Sequence, residues 1–233
     1  MPAPRPPAVS PGAPPRGTRD RILDTALRLF ADRGFAESSL RRITAEAGVN
    51  LAAVNYHFGS KEALIAEVFD RLVAPVNAER LQRLDEIEEQ AGSGPLAIEE
   101  VVDAFVTPAM EAWKLIGPTA IRMMGRTYAD SSEQLLPIIQ KQFGPIVERF
   151  AAAMHRALPA KEPGEVLWGL QFAVGALVHT MIAHDRLRPL FAGLADAEAA
   201  DAMRPRLIAF ICGGMRAPAA GSPRGAGRAR KRT

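Results

Sequence analysis

Residues 41–61, RRITAEAGVNLAAVNYHFGSK, constrain the fold of this chain more than any other feature. Their pattern predicts a short helix over 40–47, a turn at Gly48-Val49-Asn50, and a second short helix over 51–58. Two short helices on a glycine-containing turn form a helix-turn-helix. In that unit the second helix lies in the DNA major groove while the first crosses the backbone. Leu40, Ile43 and Ala47 recur on one helical face, and Leu51, Val54 and Phe58 do the same on the next. Ser38 or Ser39 is placed to cap the first helix. Gly48 falls where a left-handed residue ends it, and Val49 can plug the angle between the two helices. Ala52, Asn55, Tyr56 and His57 are then expected to point outward. The amide of Asn55 matches the N6/N7 edge of adenine. Ser39, Tyr56, His57 and Lys61 carry donors suited to phosphates, which fix register and not sequence. The same spacing also fits an ordinary helical hairpin with a solvated polar face.

A longer stretch narrows the choice. RDRILDTALRLFADRGFAESSLRRITAEAGVNLAAVNYHFGSKEALI resembles the DNA-binding domain of the TetR family over residues 18 to about 72. The match rests on LFADRGF at the end of the first helix, the Ser-Ser cap, AEAGV at the turn, and YHFGSKEAL. The resemblance implies that Arg41, Ala52 and Asn55 occupy base-contacting positions. It implies phosphate contacts for Ser39, Tyr56, His57 and Lys61. Many members carry Tyr where this chain has Asn55, so a short amide replaces a phosphate-clamping aromatic there. LAAVNYHFGSKEALI and, further on, FICGGMRA also look like the fatty-acid-responsive repressors typified by PsrA, which suggests an acyl ligand.

The implied fold class is all-α: an N-terminal three-helix helix-turn-helix DNA-binding domain and a C-terminal helical ligand-binding and dimerisation domain. Residues 1–17 are rich in Pro and Gly and are expected to be a disordered tail. The DNA-binding domain is placed at 18–78, the helical domain at 79–215, and a basic disordered tail at 216–233. A fourth helix should run from Ser60 to about residue 89, kinked or divided at Pro75. Ala91-Gly92-Ser93-Gly94-Pro95 reads as a linker. Further helices are expected over 96–115, over 119–128 after Gly117-Pro118, and from a Ser131 or Ser132 cap to about 158. Two more should cover 165–183 and 196–215. No period-2 strand pattern stands out.

The 233 residues carry 29 basic and 26 acidic groups, a net +3. Eight of the basic groups lie in the acid-free tails 1–17 and 216–233. The remainder has 21 basic against 26 acidic groups, about −5. DNA affinity should therefore come from a local basic face, with or without help from the tails. A single cysteine, Cys212, excludes an internal disulfide framework and suits a reducing cytoplasm. No apolar run reaches the roughly 18 residues needed to span a bilayer, so no membrane partner is expected.

The last two expected helices are too apolar for one core-facing stripe: Val174, Leu177, Val178 and Met181 on one, Leu207, Ile208, Phe210 and Ile211 on the other. They are either enclosed within one subunit or buried against a second copy. The family resemblance implies a homodimer through these helices, which suits a palindromic DNA operator. An enzyme is not expected: GxSxG, HExxH, phosphate-loop and CxxC motifs are absent. His179 and His184, five apart, do not stack on one helix face as metal ligands would. Neither cofactor nor metal is expected. An apolar or acyl small-molecule effector would find Phe105, Trp113, Met124, Tyr128, Phe143, Trp168 and Phe172 in the second domain, residues that could equally be plain core. Arg122 and Arg126 are either anchors for an acid group or partners in surface ion pairs. The reading is a sequence-specific, ligand-responsive repressor. The alternative is an architectural DNA binder that works through its basic tails without a ligand.

Overall fold

A computed structural model describes residues 17–129, 135–191 and 200–218. Every regular element among them is helical. In chain order these are α1 (Thr18–Arg33), α2 (Leu40–Ala47), α3 (Leu51–His57), α4 (Lys61–Ala91), α5 (Ile98–Ala129), α6 (Leu136–Ala157), α7 (Pro163–Phe191) and α8 (Ala200–Arg216). Contacts divide the chain into two units, Met1–Val68 and Phe69–Thr233, so the division falls inside α4. The domain boundary expected at 78/79 lies on the same helix. Ser131, Ser132 and both expected tails fall outside the described residues, apart from the few tail residues at 17 and 216–218.

The first unit is built on α1, α2 and α3. Ile22, Ala26, Phe30, Ile43 and Val54 have no exposed surface, and Leu29, Phe35 and Phe58 are buried around them. Phe30 and Phe35 pack with ring centroids 5.1 Å apart. Full burial of side chains of this size contributes about 1.5–3 kcal/mol each, and a three-helix unit so small depends on nearly all of them.

The second unit has a larger apolar core. Leu84 of α4, Val101 and Phe105 of α5, Phe150 and Met154 of α6, Leu170 and Leu177 of α7, and Ile211 of α8 belong to one cluster. Gly117 adopts φ 72°, ψ 168° and breaks α5 beside Pro118, as the Gly-Pro pair predicts. Pro75 is retained inside α4. The stretch 91–95, expected as a linker between domains, is a turn within the second unit. The Arg156 guanidinium donates to the carbonyls of Gly92 and Gly94 and ties this turn to α6.

One expectation is corrected by α7. Its segment Pro163–Ala183 is long and apolar enough, by length and composition, to cross a membrane, with mean hydropathy 1.6. Gly, Gln, His and Thr interrupt the run, and its mean stays at 1.6 despite them. The helix nonetheless buries Val166, Leu170, Ala173 and Leu177 in the core of the second unit. Its opposite side leaves Leu167, Trp168 and Phe172 at least half exposed.

Candidate nucleic-acid interface

The helix-turn-helix is held by its caps. Ser39 is extended, and its Oγ accepts from the N–H of Arg42 at 3.3 Å. Gly48 lies in the left-handed region at φ 65°, ψ 40°, and the N–H of Val49 returns to the Thr44 carbonyl at 3.0 Å. Asn50 caps α3 through Oδ1, which accepts from the N–H of Ala53 at 2.9 Å. Ser60 caps α4 through Oγ, which accepts from the N–H of Ala63. Each cap satisfies an N–H with no partner inside its helix. The Glu62 carboxyl sits below the usual carboxylate range, because its own N–H and the Ser60 hydroxyl donate to it.

Val54 is fully buried and Phe58 nearly so, and this turns the rest of α3 outward. Ala52, Asn55 and Tyr56 are exposed, Tyr56 by 86%, and His57 is half-buried with its ring edge-on to Tyr56. Arg41 and Ser39 are exposed at the start of α2. Ala52 adds almost no bulk, so a surface can approach the backbone of α3 beside the Asn55 amide. The neighbouring Arg42 is tied to Glu46 at 3.2 Å, and Glu46 also meets Arg28 of α1 at 3.5 Å. Lys61 turns back, and its Nζ donates to the Ala36 carbonyl at 3.4 Å. Six of the seven nominated positions therefore lie on α2, α3 or the cap between them and the preceding loop. Lys61 must leave its carbonyl to reach a phosphate.

Arg19 was not legible as part of this assembly. It lies over the Phe58 ring, 5.5 Å from the centroid, and pairs with Glu67. It thereby braces the end of α3 against α1 and α4. An arginine near the start of a helix has no sequence signature for such a contact.

The nominated effector residues do not form one cluster. Phe105 is buried, edge-on to Phe150 at 5.2 Å. Trp113, Met124 and Phe143 are half-buried. Arg122 and Arg126 are exposed, and Arg122 donates to the Thr119 hydroxyl at 3.3 Å. The Tyr128 side chain lies outside the described residues. Trp168 and Phe172 stack on the outer side of α7, 5.8 Å apart. They line an open cleft of about 340 Å³ whose other wall is Gly214, Met215 and Ala217. A buried cation does occur in the second unit, at a position the sequence did not single out: Arg80, 6% exposed, with its guanidinium 4.3 Å from the centre of the Phe105 ring.

Two family models match the chain. One, described as bacterial regulatory proteins of the tetR family, covers residues 22–68. The other, described as a tetracyclin repressor-like C-terminal domain, covers residues 103–214. Among curated proteins, the uncharacterized HTH-type transcriptional regulator YerO of Bacillus subtilis is 32% identical over 77 residues, 33% of this chain and 25% of that protein. The HTH-type transcriptional repressor NicS of Pseudomonas putida is 39% identical over 69 residues, 29% of this chain and 32% of that protein. The chain thus matches these relatives over about a quarter to a third of their length. A solved structure of a regulator from Pseudomonas aeruginosa PAO1 superposes with a TM-score of 0.59 at 18% identity, covering 85% of this chain and 92% of the other. That likeness is one of fold.

Proposed function

The chain belongs to the TetR family of bacterial regulatory proteins, and from that membership we propose that it is a sequence-specific transcriptional regulator, a repressor that binds a palindromic DNA operator as a homodimer. The observation that carries the reading is the outer face of α2 and α3. Arg41, Ala52, Asn55 and Tyr56 stand exposed on helices that bury Ile43 and Val54 completely and are capped at their starts, although Leu51, expected on the buried face of α3, is 41% exposed. Arg41 and Asn55 read base edges in the major groove. Ser39, Tyr56, His57 and Lys61 hold phosphates and set the register.

The partner in the dimer is a second copy joined through α7 and α8. Trp168 and Phe172 are 62% and 68% exposed, and Phe210 of α8 is 72% exposed. Apolar surface of this extent on neighbouring helices is what an isologous contact buries. The effector is an apolar or acyl molecule entering the helices of the second unit near Phe105, Met110, Met123, Met124 and Phe143. The stacked Trp168 and Phe172 fit the self-association face better than a ligand pocket.

Competition binding tests this reading against an architectural DNA binder. A regulator discriminates one short inverted repeat from random duplex, and keeps doing so after residues 1–15 and 218–233 are removed. A binder driven by its basic tails coats any duplex, with a steep salt dependence set by counterion release. Loss of discrimination on removing the tails would contradict the proposal.

A further inference from the structure

The unit that carries the helix-turn-helix is electrically balanced. Residues 17–68 hold seven arginines and lysines and seven aspartates and glutamates. A protein that grips phosphates needs unneutralised cations on the gripping face, so the placement of the acids matters. From Ser38 to Lys61 one residue is acidic, Glu46 on α2. In a unit of this kind α2 is the helix that crosses the DNA backbone.

Two guanidinium groups share the Glu46 carboxylate. Arg42, one turn back on α2, donates through Nε to Oε1 at 3.2 Å. Arg28 of α1 donates through Nη2 to Oε2 at 3.5 Å. Each oxygen thus faces a different arginine. All three side chains are open to solvent, Arg42 by 42%, Arg28 by 53% and Glu46 by 36%. Ion pairs this exposed add little to stability. The helix is already fixed by its Ser39 cap, by Gly48, and by the burial of Ile43, Thr44 and Ala47. Folding therefore does not account for an acid at this position. Its electrostatic effect needs no tight geometry. A carboxylate beside two guanidinium groups cancels part of their charge, and it repels any phosphate that approaches them.

We propose that Glu46 is a specificity determinant that acts by withholding: it keeps Arg42 and Arg28 from gripping the phosphates of arbitrary duplex. Such contacts carry no sequence information and supply essentially all non-specific binding. On an operator, the base contacts of Arg41 and Asn55 fix the register. A released arginine then gains only where a phosphate falls within its reach. On random duplex nothing fixes the register, and the unit settles wherever released arginines meet phosphates. The carboxylate therefore costs more affinity on the wrong sequence than on the right one, which is how a repulsive group creates discrimination. The inference rests on the regulator reading above and adds Arg28, Arg42 and Glu46 to it. Arg41 and Arg42 are neighbours in sequence with opposite tasks, because only the second has an acid one turn ahead.

The test uses the full chain with Glu46→Gln, with Glu46→Gln plus Arg42→Ala, and with Asp20→Asn. Asp20 is exposed on the first turn of α1, and its replacement removes the same charge elsewhere in the unit. Circular dichroism establishes that each variant is folded. Binding to operator and to random duplex is then measured across a range of salt. Glu46→Gln should tighten random-duplex binding by about three- to tenfold at low salt, and steepen its salt slope by about one unit for each arginine released. Operator binding should tighten less. Adding Arg42→Ala should bring the slope back by about one unit, and Asp20→Asn should leave it where the wild type has it. Three results would each overturn the withholding role: random-duplex binding by Glu46→Gln no tighter than wild type, an equal gain on the operator, or the same change from Asp20→Asn. Wild-type protein that shows no operator preference would instead overturn the regulator reading beneath it.

Discussion

Arg41, Asn55 and Tyr56 are all exposed, yet the proposed reading gives the first two a different task from the third. A guanidinium and an amide can pair with base edges, whereas a phenol beside the groove meets the backbone. Replacing Arg41 or Asn55 with Ala should relax preference at particular base pairs, each costing about 1–3 kcal/mol of discrimination. Replacing Lys61 should weaken binding to all sequences and lower the salt slope by about one unit. Competition binding against single-base operator variants separates the two behaviours, and a uniform loss for Asn55→Ala would remove that residue from base readout. Gly48 makes a different demand. A Cβ there meets nothing within 4 Å, so only its φ of 65° opposes a side chain. Gly48→Ala should cost about 1–2 kcal/mol of stability through the left-handed backbone alone, which thermal unfolding would read. Much of this was legible in the sequence, because caps, αL glycines and outward-facing residues are set by spacings of three or four. The Asn50 cap, the Arg19–Phe58 contact and the Arg80–Phe105 contact were not. The last two depend on partners 39 and 25 residues away, and nothing local marks them.

At the scale of elements, α1, α2 and α3 match their expected bounds almost residue for residue, because each ends on its own local signal. Later helices were harder to delimit. α7 runs on to Phe191, past the expected end near Ala183. The polar residues that follow, HDRLR, look like an exit and are still helical. Its apolar character was visible; the division of that surface between one subunit and another was not, since periodicity cannot tell a core from an interface. The structure shows which side is core: Val166, Leu170, Ala173 and Leu177 are buried, whereas Trp168 and Phe172, the proposed self-association face, are open. Trp168→Glu with Phe172→Glu should therefore leave the fold intact and dissociate the dimer. Sedimentation should report a fall from twice to once the 25.1 kDa chain mass. A double variant that still sediments as a dimer would move the interface elsewhere.

The whole molecule joins a reading head, Met1–Val68, to a helical unit, Phe69–Thr233, with α4 passing from one into the other. Once the tails are set aside its acidic groups outnumber its basic ones, 26 to 21, so specificity must come from the geometry of a few side chains and not from bulk charge. In the proposed two-fold dimer, two such units would read the same half-site twice, in opposite directions. Selection of duplexes from a random-sequence pool by the full-length protein measures this most directly. The account predicts enrichment of an inverted repeat whose half-site centres lie about 10–10.5 base pairs, or a multiple of that, apart. A pool that binds but stays random through successive rounds would contradict it.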